Sequence, residues 1–130
     1  MISKKRLINS FLGMYSSIMF KKIGVIYKES LSFDEDISPH IETILSHSKE
    51  LYFHKSASDT PNKFQKLSKD ELGDQSDLII VFGGDGTMLS TARDFISYDI
   101  PIMGVNFGQV GFLTDSSENN FQQSIGDVFN

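Results

Sequence analysis

Five consecutive residues in the second half of the chain have the types and order that phosphate chemistry uses. They are Gly83, Gly84, Asp85, Gly86 and Thr87. Glycines let a phosphate approach backbone N–H groups closely, and the N-terminus of a following helix favours negative charge. The single carboxylate is suited to binding a metal ion or a substrate hydroxyl group. This combination indicates phosphoryl transfer.

The same segment differs from two widespread phosphate-binding patterns. It lacks the Gly-Lys-Ser/Thr ending of a P-loop, and its glycines are too closely spaced for the dinucleotide fingerprint. A tight turn with an incidental aspartate is the alternative interpretation. For Asp85 three roles stay open, namely general base, ligand to the Mg2+ that accompanies a nucleoside triphosphate, and helix cap. The hydroxyl of Thr87 is a second candidate for capping the helix.

Strands and helices that alternate along the chain must position this segment. Short apolar runs predict strands at residues 23–27, 51–53, 78–82 and 101–105. Such alternation is typical of a three-layer, Rossmann-like α/β domain with a parallel sheet. Right-handed crossovers would gather the glycine turn and a second glycine-rich stretch, residues 104–115, at the carboxyl edge of that sheet.

Apolar residues at helical spacing predict the helices between these strands. The first runs from about Ser38, as N-cap, to Ser48, with Pro39 at its first position. A second follows the glycine turn, and a third covers residues 121–129. The apolar stripe of the second helix comprises Met88, Leu89, Ala92, Phe95 and Ile96. The polar stretch from Ser56 to Asp77 predicts a loop with one short helical turn.

Composition narrows the class of partner. The chain has 130 residues, of which 39% are hydrophobic, enough for one domain with a core. Seventeen acidic and twelve basic residues give a net charge of −5, which argues against nucleic acid and anionic membranes as partners. The absence of cysteine excludes disulfides and thiolate nucleophiles and fits a reducing compartment, so we expect a cytoplasmic location.

Two further segments invite interpretations that we reject. The three histidines, His40, His47 and His54, are too widely separated to share an ion, so we assign no metal site. The basic residues at 4–6 and the apolar stretch after them imitate a signal peptide, but polar residues interrupt the stretch and no cleavage site follows. We interpret residues 1–19 as an N-terminal extension, disordered or loosely helical, ahead of a domain at residues 20–130.

The glycine turn and the second glycine-rich stretch together resemble the amino-terminal domain of bacterial NAD kinases. The resemblance rests on residues 83–89, 104–106 and 111–115 and covers about residues 20–130. Phosphofructokinases and the diacylglycerol and sphingosine kinases share the Gly-Gly-Asp-Gly turn, but the lipid kinases usually continue with an Asn-Glu-Val stretch, where this chain has Met88-Leu89-Ser90. A kinase of one of those kinds, or a non-catalytic nucleotide-binding fragment, is the alternative.

The resemblance implies a kinase that uses ATP or polyphosphate, with Mg2+, to phosphorylate the adenosine ribose 2′-hydroxyl of NAD and form NADP. Asp85 matches the family's catalytic aspartate. The positions matching nucleotide-binding residues are Gly83, Gly84, Asp85, Gly86, Thr87, Leu89, Asn106 and Phe112. Phe112 would lie near the adenine, where its ring suits base stacking, or it would anchor the loop in the core. Family members are usually homo-oligomers, and NAD and ATP are their small-molecule partners.

The chain departs from the family pattern in sequence and in length. Phe107 stands where many relatives have arginine, so no role is transferred to it, and Val110 replaces the usual leucine. Family members continue into a β-rich domain that carries further NAD contacts. We therefore expect this polypeptide, an isolated domain or a truncated gene product, to be poorly active alone.

Overall fold

The computed structural model describes residues 20–107 together with residues 116, 117 and 123. The N-terminal extension at residues 1–19 lies outside these residues. So do Phe112 and, apart from Gln123, the helix expected at residues 121–129.

Six strands within the described residues form one sheet, which is parallel as predicted, although only four of the strands were expected. They are β1 (Lys22–Tyr27), β2 (Glu50–His54), β3 (Gln65–Leu67), β4 (Leu78–Gly83), β5 (Ile102–Asn106) and β6 (Ser116–Ser117). Their order across the sheet is β3-β2-β1-β4-β5-β6, and every neighbouring pair is parallel.

The described helices cover both faces of this sheet. They are α1 (Ser38–Leu45), α2 (Lys69–Gln75) and α3 (Asp85–Asp94), with a π-helical turn (Phe33–Ile37) before α1 and a 3₁₀ turn (Ile96–Tyr98) after α3. Ile41 and Ile44 of α1 pack on one face, whereas Leu72 of α2 and Met88 of α3 pack on the other. The three-layer α/β architecture is therefore confirmed.

The side chains of β4 alternate between the two faces of the sheet, and both faces are covered, which explains why its sequence is a continuous apolar run. Leu78, Ile80 and Phe82 contribute to the core under α1, and Ile79 and Val81 contribute to the core under α2 and α3. All six residues of the strand are buried. A parallel strand covered on both faces has no solvent-facing side, so it needs no polar alternation.

The prediction that Ser38 caps the first helix is wrong. The helical segment starts earlier, at Phe33, and the Ser32 side chain accepts a hydrogen bond from the Glu35 backbone N–H. The N–H of Ser38 donates to the Phe33 carbonyl, five residues back, in the wide turn that precedes Pro39. Pro39 has no N–H to donate, so the regular helical hydrogen bonding would be interrupted there. The π-helical turn lies just before this position.

The prediction of a loop with one short turn between Ser56 and Asp77 is also wrong in part. This stretch contains the edge strand β3 and the seven-residue helix α2. A capping box starts the helix: the Ser68 side chain accepts from the Glu71 N–H, and the Glu71 carboxylate accepts from the Ser68 N–H. The Ser-x-x-Glu spacing was the available signal.

In α3 the predicted apolar stripe is narrower than expected. Met88 and Phe95 are each 1% exposed, but Leu89 is 41% and Ile96 80% exposed. Met88, Ala92 and Phe95 follow the i, i+4, i+7 spacing that faces the sheet. Leu89 is one residue beyond Met88, which turns its side chain by about 100° towards solvent, and Ile96 lies in the 3₁₀ turn after α3.

The chain order creates a switch point between β1 and β4. From β1 the chain proceeds outward to β2 and β3, then returns to β4 on the other side and proceeds to β5 and β6. In open α/β sheets, ligands bind outside the carboxyl ends of the strands at this point. The glycine turn leaves β4 there.

Candidate functional site

The glycine turn connects the end of β4 directly to α3. Gly84 is the N-cap, with extended backbone angles of φ −126° and ψ −164°, and Asp85 is the first helical residue. The Met88 N–H donates to the Gly84 carbonyl at 3.0 Å. Helix geometry leaves the N–H groups before Met88 without a carbonyl partner inside α3. The expectation that Thr87 or Asp85 is the cap is wrong, because the cap position belongs to Gly84.

Gly83 and Gly86 differ in the space beside them. A Cβ atom at Gly83 would lie 2.8 Å from Thr87 Oγ1 and 2.9 Å from Thr87 Cβ, so the fold needs a glycine there. A Cβ atom at Gly86 would have no heavy atom within 4 Å. Gly86 is exposed, and its missing side chain leaves open space over the first turn of α3. The first glycine therefore serves packing, while the second leaves room for an external group.

Asp85 is half-buried at the first position of α3, and Thr87 is half-buried two residues later. The Thr87 backbone carbonyl accepts a hydrogen bond from Thr91 Oγ1 at 2.8 Å. Leu89 lies on the exposed side of the helix, where its side chain is accessible to a ligand. A carboxylate at this position carries negative charge at the favourable end of the helix dipole.

Asn106 is brought to the same turn from β5. It is the register partner of Gly83, and its side chain is 3% exposed. A Cβ atom at Gly84 would have Asn106 Oδ1 as its neighbour, at 3.8 Å. The sequence-predicted residues from Gly83 to Thr87 and Asn106 thus lie together at the carboxyl edge, whereas Phe112 lies outside the described residues.

A cleft of about 380 Å³ lies beside this turn, over the carboxyl ends of β1 and β2. Its lining residues are Ile26, Tyr27, Lys28, Glu29, His54, Ser56, Lys69, Gly86, Thr87, Ser90, Thr91, Asp94 and Phe95. Gly86 and Thr87 form part of its wall, while Asp85, Leu89 and Asn106 are not among its lining residues. Asp85 therefore lies outside the cleft lining, although its neighbour in the chain, Gly86, is part of it.

Several polar residues of this cleft were not predicted from the sequence. Lys28 directly follows β1, and His54 ends β2. Both positions could have been found, because carboxyl ends of parallel strands are where ligands bind. Lys69 could not, since it is the first residue of α2, which was predicted as loop.

Around His54 the contacts define which ring nitrogen accepts a hydrogen bond. The backbone N–H of Ser56 donates to His54 Nδ1 at 3.1 Å, and Ser56 Oγ lies 2.7 Å from the same nitrogen. Burial lowers the pKa of His54, and the negative charge of Asp94 partly opposes this shift. Burial therefore favours the neutral form of the ring.

Beside the cleft, a hydrogen-bond network joins the segments that follow β1 and β2. The Tyr27 hydroxyl donates to the Asp59 carboxylate and lies 2.7 Å from Thr60 Oγ1. The other Asp59 oxygen accepts from the Phe33 N–H at 2.8 Å. Burial, reinforced by the bond to Asp59, raises the pKa of Tyr27 to about 12. The bonds from Phe33 and Tyr27 lower the pKa of Asp59. The network thus ties together two segments that border the carboxyl edge.

Within the part of the chain that the structure describes, no group of three or more His, Cys, Asp or Glu side chains is arranged to hold a metal ion. Nor does any described helix have the length and apolar character needed to span a bilayer.

Comparison with known proteins identifies similar sequences. Residues 16–130 match the family model of the ATP-NAD kinase N-terminal domain. The NAD kinase of Marinomonas sp. (strain MWYL1) is 49% identical over 59 residues, which cover 45% of this chain and 20% of that protein. The NAD kinase of Escherichia coli O1:K1 is 52% identical over 58 residues, 45% of this chain and 20% of that protein. The NAD kinase of Nitrosomonas europaea is 40% identical over 67 residues, 52% of this chain and 23% of that protein. The matched part of the chain spans about a fifth of the length of these relatives.

Proposed function

Because this chain belongs to the NAD kinase family through that family's N-terminal domain, we propose that the protein transfers a phosphoryl group to NAD and forms NADP. The acceptor is the adenosine ribose 2′-hydroxyl, and the donor is ATP or polyphosphate. The supporting observation is the open space over Gly86, on the first turn of α3 and next to Asp85. A phosphate there meets backbone N–H groups that have no partner inside the helix.

Asp85 is proposed as the general base. Its carboxylate removes the proton of the 2′-hydroxyl as that oxygen attacks the terminal phosphorus of the donor. The new P–O bond forms as the bond to the bridging oxygen breaks, and ADP, or a polyphosphate one unit shorter, leaves. General-base catalysis of this kind typically contributes about 10²–10⁴ in rate. The remaining barrier is lowered by positioning and by charge stabilisation at the phosphate.

The residues present fit a magnesium ion that arrives with the donor. Mg2+ is usually bound by one or two carboxylates together with substrate phosphates, rather than by a cage of protein ligands. Because the Asp85 carboxylate is assigned as the base, the phosphates of the donor would be the main ligands of the ion. When bound, Mg2+ would neutralise charge on the phosphate oxygens.

The nucleotide-binding roles of the other residues are proposals of the same kind. Gly83 and Gly84 form the turn, and the N–H groups of Gly86 and Thr87 face incoming phosphate. Exposed Leu89 offers apolar contact to NAD, and Asn106 offers a polar contact at the turn. Phe112 is proposed to lie near the adenine. We also propose a cytoplasmic, homo-oligomeric protein, with NAD and ATP rather than nucleic acid or membrane as partners.

The comparisons favour NAD over the substrates of other kinases with the same turn. The relatives described above are all named NAD kinase. Binding of NAD, fructose 6-phosphate and sphingosine, each followed by shifts of the Gly84–Thr87 amide signals, separates the alternatives. We expect saturable shifts with NAD alone. Equal or stronger responses to the sugar phosphate or the lipid would contradict the assignment.

The role of Asp85 is tested by NADP formation from NAD, ATP and Mg2+, measured with protein in excess and a cycling assay for NADP. Asp85→Asn keeps the shape of the side chain but removes the base, so we expect the rate to fall about 100-fold or more. Asp74→Asn is the matched control, because Asp74 is an exposed acid on α2, away from the cleft lining. An unchanged rate in Asp85→Asn would rule out the proposed base.

A further inference from the structure

His54 is placed to contact whatever occupies the cleft. It is the last residue of β2, is half-buried, and lines the same cleft as the α3 residues Gly86 and Thr87. Lys69 and Lys28 line the same cleft. The proposed transfer chemistry at Asp85 makes no use of His54, and the family resemblance assigns it no role.

The contacts of His54 determine its tautomer. A backbone N–H group can only donate a hydrogen bond, so Nδ1 must be the acceptor in the 3.1 Å bond from the Ser56 N–H. In a neutral ring the proton is then carried by Nε2. Ser56 follows His54 by two residues, so the acceptor nitrogen is held by the chain itself. The Nε2–H group is therefore the hydrogen-bond donor that the ring can offer to a ligand.

The surroundings of the ring indicate an acceptor-rich ligand. Two lysines, Lys28 and Lys69, and two hydroxyl-bearing residues, Thr87 and Ser90, are among the residues that line the cleft. Glu29 and Asp94 balance the two lysines in formal charge. Selective binding of a phosphate chain in such a mixed environment depends on directed hydrogen bonds as well as on net charge.

We propose that His54 is a binding residue for the phosphoryl donor, and that its Nε2–H donates a hydrogen bond to a phosphate oxygen of the chain lying in the cleft. This inference rests on the proposed function. It adds a side-chain donor at the end of β2 to the backbone donors of the glycine turn. The phosphate chain would then be bound by two different elements that line the cleft.

Two substitutions separate a donor role from a structural role. Asn places an oxygen where Nδ1 accepts from Ser56 but leaves no donor at the Nε2 position, whereas Gln places an N–H donor near Nε2 and loses the Ser56 contact. A structural role predicts that His54→Gln is the more damaging change. A donor role predicts the reverse order for ligand affinity.

The experiment is a titration of the 130-residue chain with inorganic tripolyphosphate, followed by calorimetry and by amide chemical shifts. We expect His54→Asn to weaken binding about tenfold or more and His54→Gln to remain within about threefold of the original chain. Urea unfolding of both variants checks that each is folded. If His54→Asn and the original chain bind tripolyphosphate with equal affinity, the proposed role of His54 is overturned, whereas the donor site itself is not. No binding by the original chain would overturn the donor site as well.

A second readout is independent of any ligand. Long-range proton–nitrogen correlation spectra of the imidazole ring report which nitrogen carries the proton. At pH 7.5 we expect the neutral ring with its proton on Nε2. A neutral ring with its proton on Nδ1 would overturn the inference, whether or not the chain binds phosphate.

Discussion

Gly83 and Asn106 lie side by side as the last register partners of β4 and β5. The pairing continues one step further, because the Phe107 N–H donates to the Gly83 carbonyl at 2.8 Å. The strand carrying the turn is thus hydrogen-bonded to its neighbour up to the residue where the turn begins. Asp85 and the first turn of α3 therefore start from a rigid edge, which is what a site for positioning two substrates requires.

Substituting Gly83 should destabilise the fold. In Gly83→Ala the new methyl group would lie 2.9 Å from Thr87 Cβ, at the rigid base of that side chain. We expect a loss of about 1–3 kcal/mol in the free energy of unfolding. Urea unfolding followed by circular dichroism measures it. Gly86→Ala is the matched control, because its methyl group meets no heavy atom within 4 Å. Equal stability of the two variants would contradict the packing role of Gly83.

Burial on both faces of the sheet leaves a clear apolar pattern in the sequence of β4. β4 was predicted because its residues are apolar without interruption, and the glycine turn was predicted because it follows that strand. The helix α2 was missed because Leu72 is its only large buried apolar residue, too few to reveal a helical period. Its start was encoded instead in the Ser68–Glu71 capping box.

The residues of the candidate site likewise fall into those that the sequence indicates and those that only the fold brings to the cleft. Asp85 and Asn106 are candidates from the sequence because each follows a predicted strand and matches a motif. His54 is considered in the sequence only as a metal ligand and is assigned no role, since a single histidine after a short strand has no motif to distinguish it. Its relation to Ser56 and to the cleft depends on how β2 lies against β1 and α3, which is set by long-range packing.

The Tyr27 hydroxyl should make stability depend on pH in the alkaline range. Burial raises its pKa from the ordinary 10.0 to about 12, so the folded state holds the proton more tightly than the unfolded state. The stabilisation is complete below pH 10 and is lost as pH rises towards 12.

The check is to compare the original chain with Tyr27→Phe by urea unfolding from pH 8 to 11.5. Below pH 10 we expect the variant to be less stable by about 1–2 kcal/mol, because the Asp59 and Thr60 oxygens lose their partner. The difference should shrink above that pH. Tyr52 and Tyr98, whose pKa values are also raised to about 12, are present in both chains and cancel in the comparison. A difference that stays constant with pH would argue against the bonded hydroxyl.

Removing the Ser68 hydroxyl should weaken the start of α2, and with it the position of Lys69 in the cleft. Ser68→Ala removes the hydroxyl oxygen that accepts a hydrogen bond from the Glu71 N–H at 3.2 Å. We expect a cost of about 1 kcal/mol in unfolding free energy. Ser97→Ala, at an exposed serine of the 3₁₀ turn, is the control and should change stability little. Indistinguishable unfolding of the two variants would show that the capping box does not stabilise the helix.

Binding of Mg2+ and ATP to the original chain and to Gly86→Ala, followed by amide chemical shifts, tests most directly whether phosphate binds over the first turn of α3. In the original chain we expect saturable shifts centred on Gly84, Asp85, Gly86 and Thr87. In Gly86→Ala we expect an intact fold and affinity lower by about tenfold or more, because the methyl group occupies the space that the phosphate needs. Equal affinity in the two chains, or shifts confined to residues far from this turn, would contradict the account.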